Sequence, residues 1–181
     1  DLRREPHHEN LTLLPAWGPG GEVAATSYAL GNPDIHMGKR AFFTTPGLNT
    51  GIDFDSEGKR FVVASGEDGA QDILLGDART GKVLRQLTTD TGIDTAPAFN
   101  PAGDAVVFVS DRSGSPQIYV LELTSTKLTR VSGAGLYNTS PAWSPDGRTL
   151  AWNRRRGART YDVITADVKD PRGTERRRTH G

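Results

Sequence analysis

Four stretches of this chain repeat one pattern: "LPAWGPGGEVAATS" at 14–27, "GIDFDSEGKRFVVAS" at 51–65, "APAFNPAGDAVVFVS" at 96–110 and "SPAWSPDGRTLAW" at 140–152. Each leads to an aromatic ring, breaks at a tight turn and resumes as a mainly apolar run. The turns begin at Gly18, Asp55, Asn100 and Ser144, at intervals of 37, 45 and 44 residues. A second marker, the aliphatic residue Ile35, Ile73, Ile118 or Val163, recurs at intervals of 38, 45 and 45. Two markers that keep step, short first interval included, define an internal repeat. A period in the mid-forties is that of a propeller blade and exceeds the ankyrin and leucine-rich periods.

Each unit reads as four short strands. In the third unit they are Ala96 to Phe99, Ala105 to Ser110, Gln117 to Leu123 and Lys127 to Ser132. The second of these, "AVVFVS", is apolar at nearly every position, as a strand buried on both faces requires. The second unit repeats the order with "RFVVAS", "QDILLGDA" and "VLRQLT", and the fourth with "TLAWNR", "TYDVITADV" and "TERRRTH". Helical periodicity is not sustained anywhere, and 21 glycines and 11 prolines supply the turns. The expectation is an all-β chain: a β-propeller of four-stranded antiparallel blades, about four of them. The blades span roughly 11–46, 47–89, 90–133 and 134–181. One such sheet cannot cover both of its own faces, so blades must stack.

"SPAWSPDGRTLAW", "FVSDRSGSPQIYVLEL" and "KLTRVSG" resemble the TolB-type β-propeller repeat. The resemblance covers about residues 10–181 and is strongest from Asp94 to Trp152. It is weakest in the first unit, where "GNPDIHMGKRAFFTT" keeps only the spacing. It implies a periplasmic, non-catalytic propeller that docks a protein partner, the lipoprotein Pal, in envelope maintenance. The same repeat also occurs in propellers attached to peptidases or hydrolases, which is the alternative. The family ring has six blades, whereas four units use nearly this whole chain. Residues 1–10 are therefore expected to be a linker or the end of a preceding blade, and self-association to complete a ring is a further expectation.

Chemistry-bearing motifs are few. "GDARTGKV" at 76–83 departs from the phosphate loop at Val83, where a hydroxyl should stand, and it joins two strands instead of opening a helix. "DFDSEG" at 53–58 begins like a calcium loop, but Ala64 occupies the position of the bidentate glutamate. Both read as turns. His7, His8 and Glu9 read as a polar linker, because adjacent residues of an extended segment point opposite ways. There is no cysteine and no G-x-S-x-G. No catalytic residue, metal site or cofactor is expected. Trp17, Trp143 and Trp152 are assigned to core packing.

Formal net charge is zero, but from Arg148 onward ten Lys/Arg face four Asp/Glu, while residues 1–147 hold twelve against eighteen. The blocks Arg154–Arg156 and Arg176–Arg178 read as solvated turn and edge-strand charge. No aromatics interleave with them as in a single-strand binder, so nucleic acid is not expected. No window is apolar enough to span a membrane. The remaining candidates are inter-blade connectors, which in the resembled family meet Pal. Here these are "TDTGID" and "GAGLYNT", with Asp90, Ile93, Asp94, Leu136, Tyr137 and Asn138 as the expected partner-binding residues. Tyr137 is the expected anchor, and Asp90, Asp94 and Asn138 the expected rim hydrogen-bonders.

Overall fold

The computed structural model describes residues 11–29, 31–67, 69–133 and 135–179. The proposed end of a preceding blade, with His7, His8 and Glu9, lies outside them. The first sheet holds β1 Thr12–Trp17, β2 Val23–Ser27, β3 Asp34–Met37 and β4 Arg40–Phe43; the second holds β5 Leu48–Phe54, β6 Arg60–Gly66, β7 Asp72–Asp77 and β8 Val83–Gln86. The third holds β9 Asp94–Phe99, β10 Ala105–Ser110, β11 Gln117–Glu122 and β12 Leu128–Arg130; the fourth holds β13 Asn138–Trp143, β14 Thr149–Arg155, β15 Tyr161–Asp167 and β16 Arg176–Arg177. Each is an antiparallel meander in sequence order. The four sheets are the expected propeller blades. The fourth strand of the last blade is shorter than "TERRRTH" suggests: a one-turn helix, α1 Pro171–Thr174, precedes two paired residues. Asp170 starts that turn by accepting a bond from the Gly173 amide.

Stacking makes the core. Between blades 1 and 2, Ile35, Phe42 and Phe43 meet Phe54, Phe61 and Val63. The Phe61 ring stands edge-on to Phe42 and Phe43, at centroid distances of 5.2 and 5.5 Å. Between blades 2 and 3, Val62, Ala64 and Ile73 meet Phe99, Val106 and Phe108. Between blades 3 and 4, Val107, Val109 and Ile118 meet Leu150, Trp152 and Ile164. Alternate residues of each second strand thus serve opposite neighbours, which is why that strand is apolar throughout.

The tight turns also interlock. A Cβ on Gly58 would come 3.3 Å from Pro19, and one on Gly147 would come 3.3 Å from Pro101. Arg60 bonds Asp55 in its own turn and reaches the Gly103 carbonyl of the next blade at 2.7 Å.

Trp17 is a correction. It is 75% exposed, whereas Phe54 and Phe99, at the same place in the next two blades, are 8% and 7% exposed. Each of those aromatics packs on the blade before it, and no described sheet precedes blade 1. Val23, paired with Trp17, shares that open face. Trp143 is half-buried and donates from Nε1 to the Ala98 carbonyl at 3.2 Å. Trp152, at 1% exposure, is the fully buried tryptophan.

Every first strand carries a bulge at one repeat position. Leu14, Gly51, Ala96 and Ser140 have φ of 52, 56, 51 and 54°, and the ladder register shifts around each. Such bulges bend and twist a strand. The bulges of successive blades meet: a Cβ on Gly51 would lie 3.7 Å from Ala96 Cα and from Leu14 Cδ1, ordinary contact. Left-handed backbone costs a residue bearing a side chain about 1–2 kcal/mol.

A polar rivet recurs in blades 2, 3 and 4. The amides of Ile73, Ile118 and Val163 donate to the hydroxyls of Thr88, Ser132 and Thr179. Those hydroxyls donate on to Asp72, Gln117 and Asp162. The next blade is tied in through the start of its first strand. Asn49, Asp94 and Asn138 donate their amides to the carbonyls of Pro33, Gln71 and Pro116 at 2.9, 2.8 and 2.9 Å. The Asn49 side chain then bonds Asp34, and that of Asn138 bonds Gln117. Asp94 is the charged member. Burial raises its pKa, against hydrogen bonds from Ser110 and Thr88 and the Arg112 charge.

Three outcomes are expected. Ala96→Gly relieves the left-handed strain and should raise stability by about 0.5–1 kcal/mol net of unfolded-chain entropy, while Gly51→Ala should lower it by a similar amount, read by denaturant unfolding. Trp152→Ala should cost about 3–5 kcal/mol, and half-buried Trp143→Ala clearly less. Asp94→Asn installs the residue type found at 49 and 138. An acid whose folded pKa is raised adds stability below its unfolded value, about 3.9, and loses it as pH rises through the folded value. The melting-temperature difference between D94N and parent should therefore shift in favour of the variant as pH rises above about 4 and be flat below.

Candidate functional site

The fourth-to-first connectors, 87–93 and 131–137, lie at the same end of the molecule as the second-to-third hairpin loops, because each antiparallel strand returns the chain to the end it left. The connector 87–93 is held from both sides. Asp90 accepts from the Gly92 amide at 3.0 Å and pairs with Arg112 at 2.5 Å. The Ile93 amide donates to Asp111 at 2.7 Å, leaving the Ile93 side chain 42% exposed. Arg112 also binds Asp94 at 2.7 Å and lies over the Phe108 and Tyr119 rings, 5.4 and 5.1 Å from their centroids. One guanidinium thus joins the connector, the first strand and the hairpin of blade 3.

The connector 131–137 rests on a second arginine. Arg154 forms a bidentate pair with Glu175 at 2.7 and 2.6 Å and donates to Asn138 at 3.0 Å. Its hydrogen bonds hold the Glu175 carboxyl below the usual range, against the effect of burial. Glu175 also accepts from the Gly133 amide. Above this base, Leu136 is 77% exposed and Tyr137 is half-buried, with the Arg155 guanidinium 5.1 Å from its ring centroid.

The six expected partner-binding residues therefore divide. Asp90, Ile93, Leu136 and Tyr137 sit on the connectors at one end. Asp94 and Asn138 are 0% exposed and belong to the rivets. The rim role expected of these two is corrected: the first strands begin at them, and their polar groups are turned inward to the neighbouring blade. Arg112 and Arg154, which fix the connectors, were not among the expected residues. Only the fold shows that one faces Asp90 and the other Glu175.

The turn readings of the two motif-like stretches have physical partners. Asp77 accepts from the Thr80 amide and hydroxyl in a tight β7–β8 turn. A Cβ on Gly76 would come 2.1 Å from the Phe61 ring, so that glycine serves packing across the sheet. Asp53 accepts from the Phe99 amide, Asp55 is held by Arg60, and Glu57 pairs with Lys59. The three carboxylates diverge to separate partners. Burial works to raise the Asp55 pKa, but the bonds from Arg60 and Lys59 bring it below the usual range.

Among the described residues no helix is long and apolar enough to cross a membrane. The model of the TolB beta propeller domain matches residues 6–175. The chain is 36% identical over 120 residues to a protein TolB homolog of Chlorobium luteolum, covering 63% of this chain and 27% of that protein. It is 36% identical over 114 residues to the Tol-Pal system protein TolB of Bordetella pertussis, covering 59% of this chain and 26% of that protein. It superposes on TolB from Acinetobacter baumannii with a TM-score of 0.81 at 30% identity, over 93% of this chain and 43% of that one. The chain spans about a quarter of the length of these curated relatives and under half of the solved structure. With four stacked blades, the shared turn and a family match over most of its length, the chain belongs to the TolB β-propeller family.

Proposed function

We propose that this chain is a non-catalytic, protein-binding part of a TolB-type propeller. It docks a partner through the connectors at one end, a Pal-like lipoprotein of the periplasm. The observation that carries this reading is the exposure of Leu136 and Ile93 on connectors that Arg154 and Arg112 hold rigidly from below. Large apolar side chains preorganised on a fixed frame lose little conformational freedom on docking. Each buries apolar area that water otherwise covers. Tyr137, with its ring already fixed under Arg155, adds a flat contact with a polar tip. The relatives named as Tol-Pal system proteins support the choice of partner class.

The open face of blade 1 supports a second contact. Trp17 and Val23 stand where Phe54 and Phe61 stand in blade 2, and those are covered by a neighbouring sheet. At the far end of the stack, Ala151 and Val163 of blade 4 are only half-buried. We infer that a second copy of the chain covers the Trp17 face with a blade of the same kind, head to tail.

Titration of the full-length protein with a Pal-type lipoprotein should give saturable binding. Leu136→Ala and Tyr137→Ala should each weaken it about 5- to 30-fold with unchanged melting temperature, as truncated interface anchors do. No binding by the parent removes the Pal reading. Sedimentation of the 181-residue chain should show a concentration-dependent dimer that Trp17→Asp abolishes. A monomer at all concentrations refutes the self-association.

A further inference from the structure

Beyond Arg154, the loop of the arginine-rich hairpin of blade 4 carries charge that the frame described above does not use. That loop, 155–160, rises beside the connector 131–137 and is tied to it by one backbone bond, from the Arg155 amide to the Tyr137 carbonyl at 2.9 Å. A cleft lies between the two segments, lined by Gly135, Leu136, Arg155, Arg156, Gly157 and Ala158. Two of these are glycines, so another backbone can approach closely. Gly135 has φ of +81°, and a Cβ there would crowd Arg154 Cδ at 3.0 Å.

The charges around the cleft are unequal. Arg154 is spent on Glu175, and Arg156 stands 3.7 Å from Asp162, which Arg177 also contacts at 3.0 Å. Neither Arg155 nor Arg159 meets a carboxylate among the described residues, and both are exposed. The hairpin loops of the other blades differ. Blade 2 has Glu67 and Asp68 at this position in the sequence, and in blade 3 Arg112 is neutralised by Asp90 and Asp94. The arginines of this loop thus stand beside Leu136, the most exposed leucine among the described residues.

We propose that this cleft receives an extended acidic segment of a protein partner, with Arg155 and Arg159 pairing its carboxylates and Leu136 meeting an apolar side chain between them. The proposal rests on the partner-docking reading and names the chemistry of the segment that docks. Arg155 is already positioned by the Tyr137 ring, so less side-chain freedom is lost when it pairs. The same stacking takes up one face of that ring, which a nucleobase would otherwise use. The chain as a whole is neutral, so no broad positive field holds a polyanion or a lipid surface.

The probe is a blocked acidic peptide, Glu-Asp-Leu-Glu-Ser-Asp, followed by fluorescence anisotropy at low and at physiological salt. Binding should be present at low salt and weaken several-fold as salt screens it. The double variant Arg155→Glu/Arg159→Glu should bind about tenfold more weakly at unchanged melting temperature. Arg79→Glu, at the opposite end of blade 2, should bind like the parent. Equal binding by the double variant and the parent overturns the proposal. Tighter binding of a single-stranded oligonucleotide or of phosphatidylglycerol vesicles than of the peptide overturns it as well. The Pal-type titration separates this proposal from the reading beneath it. Pal binding that ignores both arginines sinks the acidic-segment proposal and leaves the docking reading standing. Arginine-dependent peptide binding without Pal binding does the reverse.

Discussion

Burial of one sheet face by the next holds this molecule together. A four-stranded meander has two faces and can keep neither dry alone. Val62 turns to blade 3 while Phe61 and Val63 turn to blade 1, and the same division recurs at Val107, which turns to blade 4, against Val106 and Phe108, which turn to blade 2. Because each contact is made only with neighbours, stability is a chain of pairwise terms. Where no described sheet stands opposite, as at Trp17, a side chain with the chemistry of a buried residue is left exposed.

Apolar stacking alone would let blades slide. The polar rivets fix how far one sheet is shifted along the next. Each begins at the amide of the aliphatic marker, passes through a hydroxyl just after the fourth strand and ends on a side chain at the head of the third. Asn49 and Asn138 carry the link into the following blade. Most of these groups are buried, and each missing partner of a buried one would cost about 1–3 kcal/mol. Hydrogen bonds of fixed direction thus set the register that the hydrophobic effect, which has no direction, leaves open.

The same frame explains why the connectors are suited to recognition. A connector that starts after one rivet and ends at the next is pinned at both ends, and Arg112 and Arg154 support it from beneath. The side chains left outward, Ile93 and Leu136, project from rigid backbone. Repetition supplies equivalent loops, and sequence differences between loops supply chemistry. Blade 3 closes its arginine onto aspartates, while in blade 4 Arg155 and Arg159 meet no carboxylate among the described residues.

The sequence by itself determined the repeat, the order of strands and the turns, because strand propensity, tight-turn chemistry and period are local properties that each copy states again. It also marked the connectors as places where function can vary. Tertiary structure alone decided which polar residues face inward. Asp94 and Asn138 read as connector residues, yet the bulge at Ala96 and Ser140 extends the strands back to include them, and the neighbouring blade then encloses them. It also decided that Trp17 lies open while Trp152 is sealed, since burial depends on what stands opposite a face. The pairing of Arg154 with Glu175, 21 residues away, has no local signature. Local pattern fixes what a strand can bury, and only the arrangement of sheets fixes what buries it.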